Sequence, residues 1–374
     1  MAEPGFQVDD KVDITDVNCP VTFVKTKVAL EELDEGQILQ VHLNDGEPVQ
    51  NVPRSLKEEG HEILKLEDNG DGTFELYIKK SEISPKDIHR EDQNMKRILT
   101  IQDISCFGKC SLTVALPLLS VMGIETVILP TAVLSTHTLF KGFTCKDLSD
   151  QLEPITNHWK QEGITFDAIY TGYLGTEEEI DTVIGIIETF RNKNTLVFVD
   201  PAMGDNGRLY PAFDEHYARK NADLCAVADI VDPNITEASF LTGLPYKEIY
   251  TEDYIKEMLL ALADIGTKTP ILTGVSLSDG KTGAMGSDTK KREFFHYQND
   301  RIPASYHGTG DIFSSVLAGA FVLDLDRKDA LRIAADYTAL TIEETLKKPG
   351  TPWYGVDFES TIPVLIDALK QIRL

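Results

Sequence analysis

Two kinds of hydrophobic pattern alternate along the chain from Arg97 onward. Short, wholly apolar runs are followed by longer stretches in which apolar residues recur every three or four positions. The short runs predict buried strands, and the longer period predicts amphipathic helices. Because wholly apolar strands separated by helices must be covered on both faces, the pattern predicts an α/β fold with a mostly parallel sheet. The predicted strands are 97–102, 125–129, 168–171, 195–200, 229–231 and 270–273, and the clearest helices are 177–190 and 252–265.

The first 80 residues carry a different order of elements. Alternating positions predict strands at 11–15, 37–43, 62–66 and 73–78, and helices are predicted at 20–33 and 51–60. In the first helix Val21, Val24 and Val28 share one face. The order βαβαββ predicts a small two-layer α/β sandwich over residues 1–80. Residues 81–96 are mostly polar without a period, so we predict a linker there and a second domain at 97–374.

Composition narrows the classes of partner. The chain of 374 residues has 36 Lys and Arg against 61 Asp and Glu, a net charge of −25. This acidity argues against nucleic acid or an anionic membrane as the main partner. The sequence has no apolar run near the ~20 residues that span a bilayer, and its start lacks the features of a signal peptide. Five cysteines without disulfide-like spacing fit reduced thiols, so we expect a cytoplasmic protein.

A glycine turn at residues 306–315 runs directly into an apolar helix. Gly308 and Gly310 allow positive φ and close backbone approach, so the N–H groups of Thr309, Gly310 and Asp311 can form an anion site at the helix start. A carboxylate beside an anion site is repulsive unless it has a task such as removing a proton from a nucleophile. Turn and acid together indicate phosphoryl transfer to a hydroxyl. The alternative is a glycine-rich loop with an ordinary Asp cap.

Acidic and amide side chains follow two other predicted strands. Asp200 ends one strand and Asp205 lies in the turn after it, while Asn234 and Glu237 begin the helix after the next strand. Oxygen ligands close to a phosphate site suit Mg²⁺, which keeps most of its waters. Each residue alone is equally typical of a cap or a turn.

Several of these segments resemble the ribokinase-like family, specifically its pyridoxal/pyridoxamine kinase branch. The main motifs are 199–207, 228–238 and Gly308-Thr309-Gly310-Asp311, with support from 101–105, 134–138 and 170–175, and the likeness spans about 97–370. The resemblance implies a doubly wound fold and transfer of phosphate from ATP to the 5′-hydroxyl of pyridoxal, pyridoxamine or pyridoxine. A hydroxymethylpyrimidine kinase of thiamine synthesis is the alternative within the same fold. Dimers are common in this family, so a homodimer is expected by analogy.

The resemblance also implies a role for each matching residue. Asp311 would be the general base, and the N–H groups of Gly308, Thr309 and Gly310 would stabilise the moving phosphoryl group. Mg²⁺ would be held through waters, ATP would be bound at its phosphates, and the substrate ring would have its own contacts. The residues for these three tasks are Asp200 and Glu237 for the metal, Asp205, Asn234 and Thr273 for ATP, and Asp103, Ser105, Thr138 and Tyr173 for the substrate.

The N-terminal pattern resembles a second family. Cys19 precedes Pro20 at the predicted start of the first helix, where unpaired N–H groups and the helix dipole favour a thiolate. A strand followed by Cys-Pro at a helix start is similar to the TusA-like (SirA-like) sulfur carriers, and the likeness covers about 70 residues. It implies that Cys19 carries sulfur for a relay partner. Two alternatives are a small appended domain with a buried Cys, and a sulfur-relay or scaffold protein whose kinase half only binds ligand.

Overall fold

The computed structural model describes residues 6–17, 21–58, 60–81, 95–348, 350 and 353–373. The chain divides into two compact units, Met1–Asn94 and Met95–Leu374, and each is described here by itself. Most of the predicted linker, residues 82–94, lies outside the described residues, so the predicted domain limits stay a prediction. None of the described helices is long and apolar enough to cross a membrane.

The N-terminal unit has the predicted βαβαββ order. Its elements are β1 (Asp10–Asp13), α1 (Val21–Glu31), β2 (Ile38–Asn44), α2 (Glu47–Glu58), β3 (Glu62–Asp68) and β4 (Thr73–Lys79). The strands form one sheet in the order β1-β2-β4-β3, in which β1 is parallel to β2 and the other pairs are antiparallel. Apolar side chains of β2 and β4, among them Val41 and Ile78, pack against Leu30, Val52 and Leu56 from the helices.

Both helices of this unit differ from their predictions. Helix α2 was predicted at 51–60, but it begins four residues earlier, so Pro53 lies inside it and its missing N–H removes one helical hydrogen bond. The buried face of helix α1 consists of Thr22, Thr26 and Leu30. On this face the Thr26 hydroxyl donates a hydrogen bond to the Thr22 carbonyl. The predicted valine face, Val21, Val24 and Val28, is about half exposed instead. Cys19 and Pro20 lie outside the described residues.

The large unit is built on a nine-stranded sheet in the order β15-β14-β13-β12-β9-β8-β5-β6-β7, counted within its described residues. The six central strands are parallel, and they match the six predicted strands. These strands are β5 (Arg97–Ser105), β6 (Glu125–Leu134), β8 (Ala168–Thr171), β9 (Leu196–Val199), β12 (Ile230–Val231) and β13 (Thr269–Val275).

The strands that the sequence did not predict are antiparallel and lie toward the two sheet edges. They are β7 (Cys145–Asp147), β14 (Lys281–Asp288) and β15 (Glu293–Asp300). A short hairpin, β10 (Gly204–Asp205) with β11 (Arg208–Leu209), forms a separate pair. These strands lack the wholly apolar runs of the central strands, so the hydrophobic pattern does not predict them.

Helices cover both faces of the sheet, as predicted. One face packs against α4 (Ser149–Gln161), α5 (Glu177–Phe190), α6 (Glu215–Ala226), α7 (Ile235–Thr242) and α8 (Glu252–Ile265). The other packs against α3 (Leu112–Val121), α9 (Thr309–Val322), α10 (Arg327–Leu346) and α11 (Ile362–Arg373). Because the central strands are parallel, the loops at their carboxyl ends meet at one edge of the sheet, where ligands bind in folds of this kind.

Candidate active site

The glycine turn is built so that only glycine fits at Gly308. Gly308 precedes α9 with φ of 83°, and a Cβ atom there would lie 1.7 Å from the carbonyl oxygen of Lys109. The first hydrogen bond of the helix runs from the Ile312 N–H to the Gly308 carbonyl at 3.1 Å. The preceding N–H groups therefore have no helical partner and are oriented toward the space before the helix, the arrangement that binds phosphate.

Asp311 lies in the first turn of α9 and is partly buried. Burial raises its pKa to about 8, with the negative charges of Asp200 and Asp103 adding to the rise and the backbone N–H of Ser111 opposing it. An acid with a pKa close to neutrality can accept a proton from a hydroxyl group and later release it.

Asp311 belongs to a group of four carboxyl side chains that we call the acid cluster: Asp200, Asp232, Glu237 and Asp311. Burial raises the pKa of Asp200 to about 7. Burial, followed by the charge of Asp200, raises the pKa of Asp232 and of Glu237 well above the usual range. The charge of Asp200 thus opposes the ionisation of the other three acids, and a nearby cation would relieve that repulsion.

Asp232 is the member of the acid cluster to which sequence reasoning gave no role. It is buried directly after β12, and Ser314 of α9 donates a hydrogen bond of 2.6 Å to its Oδ2. Its Oδ1 has no hydrogen-bond partner within the described structure. The sequence offers one signal for Asp232, which is its place between a buried strand and Pro233. Asp200 has the same place, between another buried strand and Pro201.

Asn234 and Glu237 come together as a reciprocal cap on α7. The Asn234 Oδ1 accepts from the Glu237 N–H at 2.9 Å, and the Glu237 Oε2 accepts from the Asn234 N–H at 2.8 Å. The second carboxyl oxygen of Glu237 accepts from the Met203 N–H at 3.1 Å, and the Asn234 amide donates to the Gly204 carbonyl at 2.8 Å. Both side chains thus fasten α7 to the loop after β9, and any further ligand of Glu237 must share its oxygens.

The other two predicted ATP contacts lie on neighbouring loops. Asp205 is exposed, and its carboxylate accepts from the Asn206 N–H and side-chain amide, at 2.8 and 2.9 Å. Thr273 is partly buried in β13, and its backbone pairs with Asn234 as an isolated bridge. Thr273 therefore lies next to the helix cap, while Asp205 lies at the solvent side of the β10–β11 hairpin.

The donor set fits a hydrated cation better than a bare one. Nowhere in the described residues do three or more His, Cys, Asp or Glu side chains converge closely enough to hold a metal ion directly. Two buried oxygens at strand ends lack hydrogen-bond partners within the described part of the chain, Thr171 Oγ1 at the end of β8 and Asp232 Oδ1 directly after β12. Raised carboxyl pKa values together with unsatisfied oxygens suit Mg²⁺ bound mainly through its own waters.

Asp103, a predicted substrate contact, is held by two hydroxyl groups. It is buried, and its two carboxyl oxygens accept from the Ser111 hydroxyl at 2.6 Å and the Ser105 hydroxyl at 3.0 Å. Burial raises its pKa, and the two hydroxyl groups oppose that rise. Ser105 is also buried, so its hydroxyl serves Asp103 and any effect on a substrate passes through that carboxylate.

Tyr173 and Thr138, the other two predicted substrate contacts, differ in burial. Tyr173 is partly buried with its ring 5.3 Å from that of Phe213, and burial raises its pKa to about 12, the charge of Asp103 adding to the rise. The charge of Asp103 therefore acts on the Tyr173 hydroxyl. Thr138 is exposed on the loop after β6.

An aromatic cluster, unrecognised from the sequence, borders the glycine turn. His137 lies 4.3 Å from His307 between ring centroids, and Phe140 lies 4.5 Å from Trp353. The His137 Nδ1 accepts from the Leu139 N–H, so its Nε2–H donates to the Tyr354 carbonyl at 3.1 Å. Burial lowers the pKa of His307 to about 4, so this ring is neutral near pH 7. The members are Phe107, His137, Phe140, His307, Trp353 and Tyr354.

The acid cluster predicts how stability depends on pH. The folded pKa values of Asp200 and Asp311 exceed their unfolded values, so the folded chain binds more protons between about pH 4 and pH 8. The free energy of unfolding therefore falls as pH rises through this range. With chelator present, we expect Asp200→Asn to raise it by roughly 1–3 kcal/mol near pH 8 and to have little effect near pH 4. Urea unfolding at both values checks this, and a variant less stable than the wild type near pH 8 would contradict it.

Comparisons with known proteins match both units. Residues 146–351 match the family model described as phosphomethylpyrimidine kinase, and residues 10–80 match the one described as sulfurtransferase TusA. A pyridoxal kinase of Arabidopsis thaliana is 28% identical over 261 residues, which is 67% of this chain and 82% of that protein. A protein of Archaeoglobus fulgidus named as a sulfur carrier is 40% identical over 74 residues, which is 20% of this chain and 84% of that protein.

Two solved structures resemble the large unit. A Bacteroides thetaiotaomicron protein named as a phosphomethylpyrimidine kinase, crystallised with pyridoxal, has a TM-score of 0.70 and 37% identity, covering 73% of this chain and 96% of that one. A pyridoxal kinase of Lactobacillus plantarum has a TM-score of 0.69 and 29% identity, covering 74% and 99%.

Proposed function

The chain belongs to the phosphomethylpyrimidine kinase family through its large unit and to the TusA family through its N-terminal unit, and from this premise we propose that it phosphorylates the 5′-hydroxyl of a B6 vitamer with ATP. The vitamers in question are pyridoxal, pyridoxamine and pyridoxine. One observation carries the proposal: Asp311, with a pKa of about 8, lies in the first turn of a helix whose free N–H groups face the same space. Base and phosphate site are thereby adjacent.

In this mechanism Asp311 accepts the proton of the acceptor hydroxyl as that oxygen bonds to the γ-phosphorus, while the bond from the γ-phosphorus to the β–γ bridging oxygen breaks and ADP leaves. The charges of Asp200 and Asp103, together with burial, keep the proton affinity of Asp311 high enough for this step. The N–H groups of Gly308, Thr309 and Gly310 donate hydrogen bonds to the transferred phosphoryl group and stabilise the negative charge that develops on it. Little else is demanded of the protein in phosphoryl transfer beyond position and charge.

The acid cluster would hold Mg²⁺ for the ATP phosphates. Asp200 and Glu237 are the proposed holders, and because both Glu237 oxygens already accept backbone N–H groups, Glu237 would act through water. When bound, the ion neutralises phosphate charge and aligns the triphosphate. Asn234 and Asp205 would flank the triphosphate, and Thr273 would contact one phosphate.

The ring of the acceptor would lie against Asp103, Tyr173 and Thr138, with Ser105 acting through Asp103. A carboxylate fixed by two hydroxyl groups, together with a partly buried aromatic ring, would suit a flat heteroaromatic substrate that carries hydrogen-bonding groups. The cluster of aromatic side chains around His137 would keep water from this side of the glycine turn.

Hydroxymethylpyrimidine kinase is the second candidate, favoured by the description of the family model that matches residues 146–351. A panel of pyridoxal, pyridoxamine, pyridoxine and hydroxymethylpyrimidine, with coupled detection of ADP, separates the two. We expect the highest kcat/KM with a B6 vitamer. Preference for the pyrimidine would replace the first proposal with the second, and absence of turnover with all four would remove both.

We also propose that the N-terminal unit carries sulfur on Cys19 for a relay partner, as the TusA match supports. Cys19 lies outside the described residues, so this proposal depends on the family match and not on geometry. Persulfide labelling of the whole chain tests it, with Cys19→Ser as the control, and a wild-type chain that does not label would remove it. Homodimer formation and a cytoplasmic location likewise stay predictions, and light scattering after size exclusion checks the first.

A further inference from the structure

Ser111 has a backbone conformation that is unusual for its residue type. It precedes α3 with φ of 50° and ψ of −135°, in the region that favours glycine. A serine before a helix ordinarily caps the first N–H groups, but the Ser111 side chain makes no such hydrogen bond. The residue therefore contributes neither favourable backbone geometry nor a cap to α3.

The Ser111 side chain is directed at Asp103 instead. Its hydroxyl donates to Asp103 Oδ1 at 2.6 Å, the shorter of the two hydrogen bonds to this carboxylate, and it is itself buried. Because Ser105 holds the other oxygen, the plane of the Asp103 carboxylate is fixed from both sides. Without Ser111, one oxygen of a buried acid would lose its partner.

The loop that carries Ser111 lies beside the glycine turn. The Ser111 N–H group opposes the rise in the pKa of Asp311 that burial causes. The loop that carries it is also fixed, because the Lys109 carbonyl packs against Gly308 so closely that no Cβ would fit. Ser111 thus holds the proposed ring-binding acid through its side chain, from a loop that packs against the glycine turn of the proposed base.

We propose that Ser111 is a positioning residue that orients Asp103 toward the acceptor ring, an inference that rests on the proposed function. A glycine would adopt the same φ without strain, so the hydroxyl is what a serine adds at this place. That hydroxyl has Asp103 as its partner, and orientation of a carboxylate that contacts substrate affects acceptor binding more than nucleotide binding.

Two variants at Ser111 separate positioning from a structural role. Ser111→Ala removes the hydroxyl and keeps the strained φ, whereas Ser111→Gly removes the hydroxyl and relieves the strain. We expect both to raise KM for the acceptor by roughly 10- to 100-fold with KM for ATP unchanged, since each loses a hydrogen bond to a charged group. We expect the unfolding midpoint to fall for the Ala variant and to stay close to wild type for the Gly variant, because strain relief offsets the lost bond. Arg292→Gly, at φ of 57° in the β14–β15 turn, controls for the backbone effect and should leave the kinetics unchanged.

A positioning role and a purely structural role of Ser111 predict different kinetics for the two variants. Positioning is supported if KM for the acceptor rises equally in both variants. It also requires that the pH profile of this KM shifts to higher pH, because loss of the hydroxyl raises the pKa of Asp103. If Ser111→Gly has wild-type kinetics and only Ser111→Ala is impaired, activity follows stability and the positioning role is overturned. If the wild type phosphorylates none of the four alcohols, the proposed function fails and this inference fails with it. Turnover by the wild type with unaffected variants removes the inference alone.

Discussion

Replacing Asp311 with Asn is expected to lower kcat by roughly 10²- to 10⁴-fold, because the amide cannot accept the proton of the acceptor hydroxyl. The substitution preserves the size of the side chain and removes a carboxylate whose ionisation is opposed by burial and by Asp200. We therefore expect a folded variant that still binds ATP. Single-turnover measurement of phosphate transfer, alongside calorimetric titration of ATP, checks both halves of the expectation.

The matched control is Asp264→Asn, which removes one negative charge from an exposed position of α8. Its kcat should equal that of the wild type, so a loss at Asp311 cannot be a consequence of net charge. An Asp311→Asn variant with wild-type turnover would remove Asp311 as the base. A variant that loses ATP binding as well would indicate that the carboxylate holds the nucleotide site together.

Gly308→Ala is the second substitution with a large expected effect. The new Cβ would lie 1.7 Å from the Lys109 carbonyl oxygen, and φ of 83° is itself unfavourable for alanine. The turn must move, and the N–H groups at the start of α9 move with it. We expect the free energy of unfolding to fall by roughly 2–4 kcal/mol and kcat/KM to fall by about 10²-fold or more, even at temperatures where the variant is folded.

Gly123→Ala provides the control, because Gly123 has nearly the same φ, 82°, and no atom lies within 4 Å of its added Cβ. It should lose about 1 kcal/mol from backbone strain alone and keep its activity. Thermal unfolding and coupled kinetic assays on both variants separate the effect of backbone strain from the effect of the steric clash with Lys109. Equal losses in the two variants would mean that contact with Lys109 does not shape the turn.

The central fold was accessible from sequence because its strands are buried on both faces. Such strands are continuous apolar runs, and 168–171 was predicted with its observed limits. The edge strands were not predicted because their residues alternate or are small, as in β14. The pairing of β14 with β13 and β15 depends on neighbours distant in sequence. Helix α1 was predicted from its valines, but tertiary packing selected the threonine face, and periodicity alone cannot say which of two faces is buried.

The site was partly accessible for a related reason. Asp200 directly follows β9, Asn234 and Glu237 begin α7, and Gly308 to Asp311 begin α9, so the places of these residues in the fold could be predicted from local sequence. Ser111 and Asp232 were not identified, because their importance comes from contacts across the fold, to Asp103 and to Ser314. The aromatic cluster joins segments more than 200 positions apart, exemplified by the hydrogen bond from His137 to Tyr354. No local sequence pattern predicts such a contact.

The most direct test of the account is phosphorus NMR of the wild-type chain with Mg²⁺, ATP and pyridoxal. We predict that a phosphomonoester signal grows in step with ADP, in equal amounts, without accumulation of inorganic phosphate. Inorganic phosphate in place of the ester would mean that water and not the alcohol attacks, and an unchanged spectrum would mean that no transfer occurs. Either result would contradict an acid and a glycine turn acting together on a hydroxyl group.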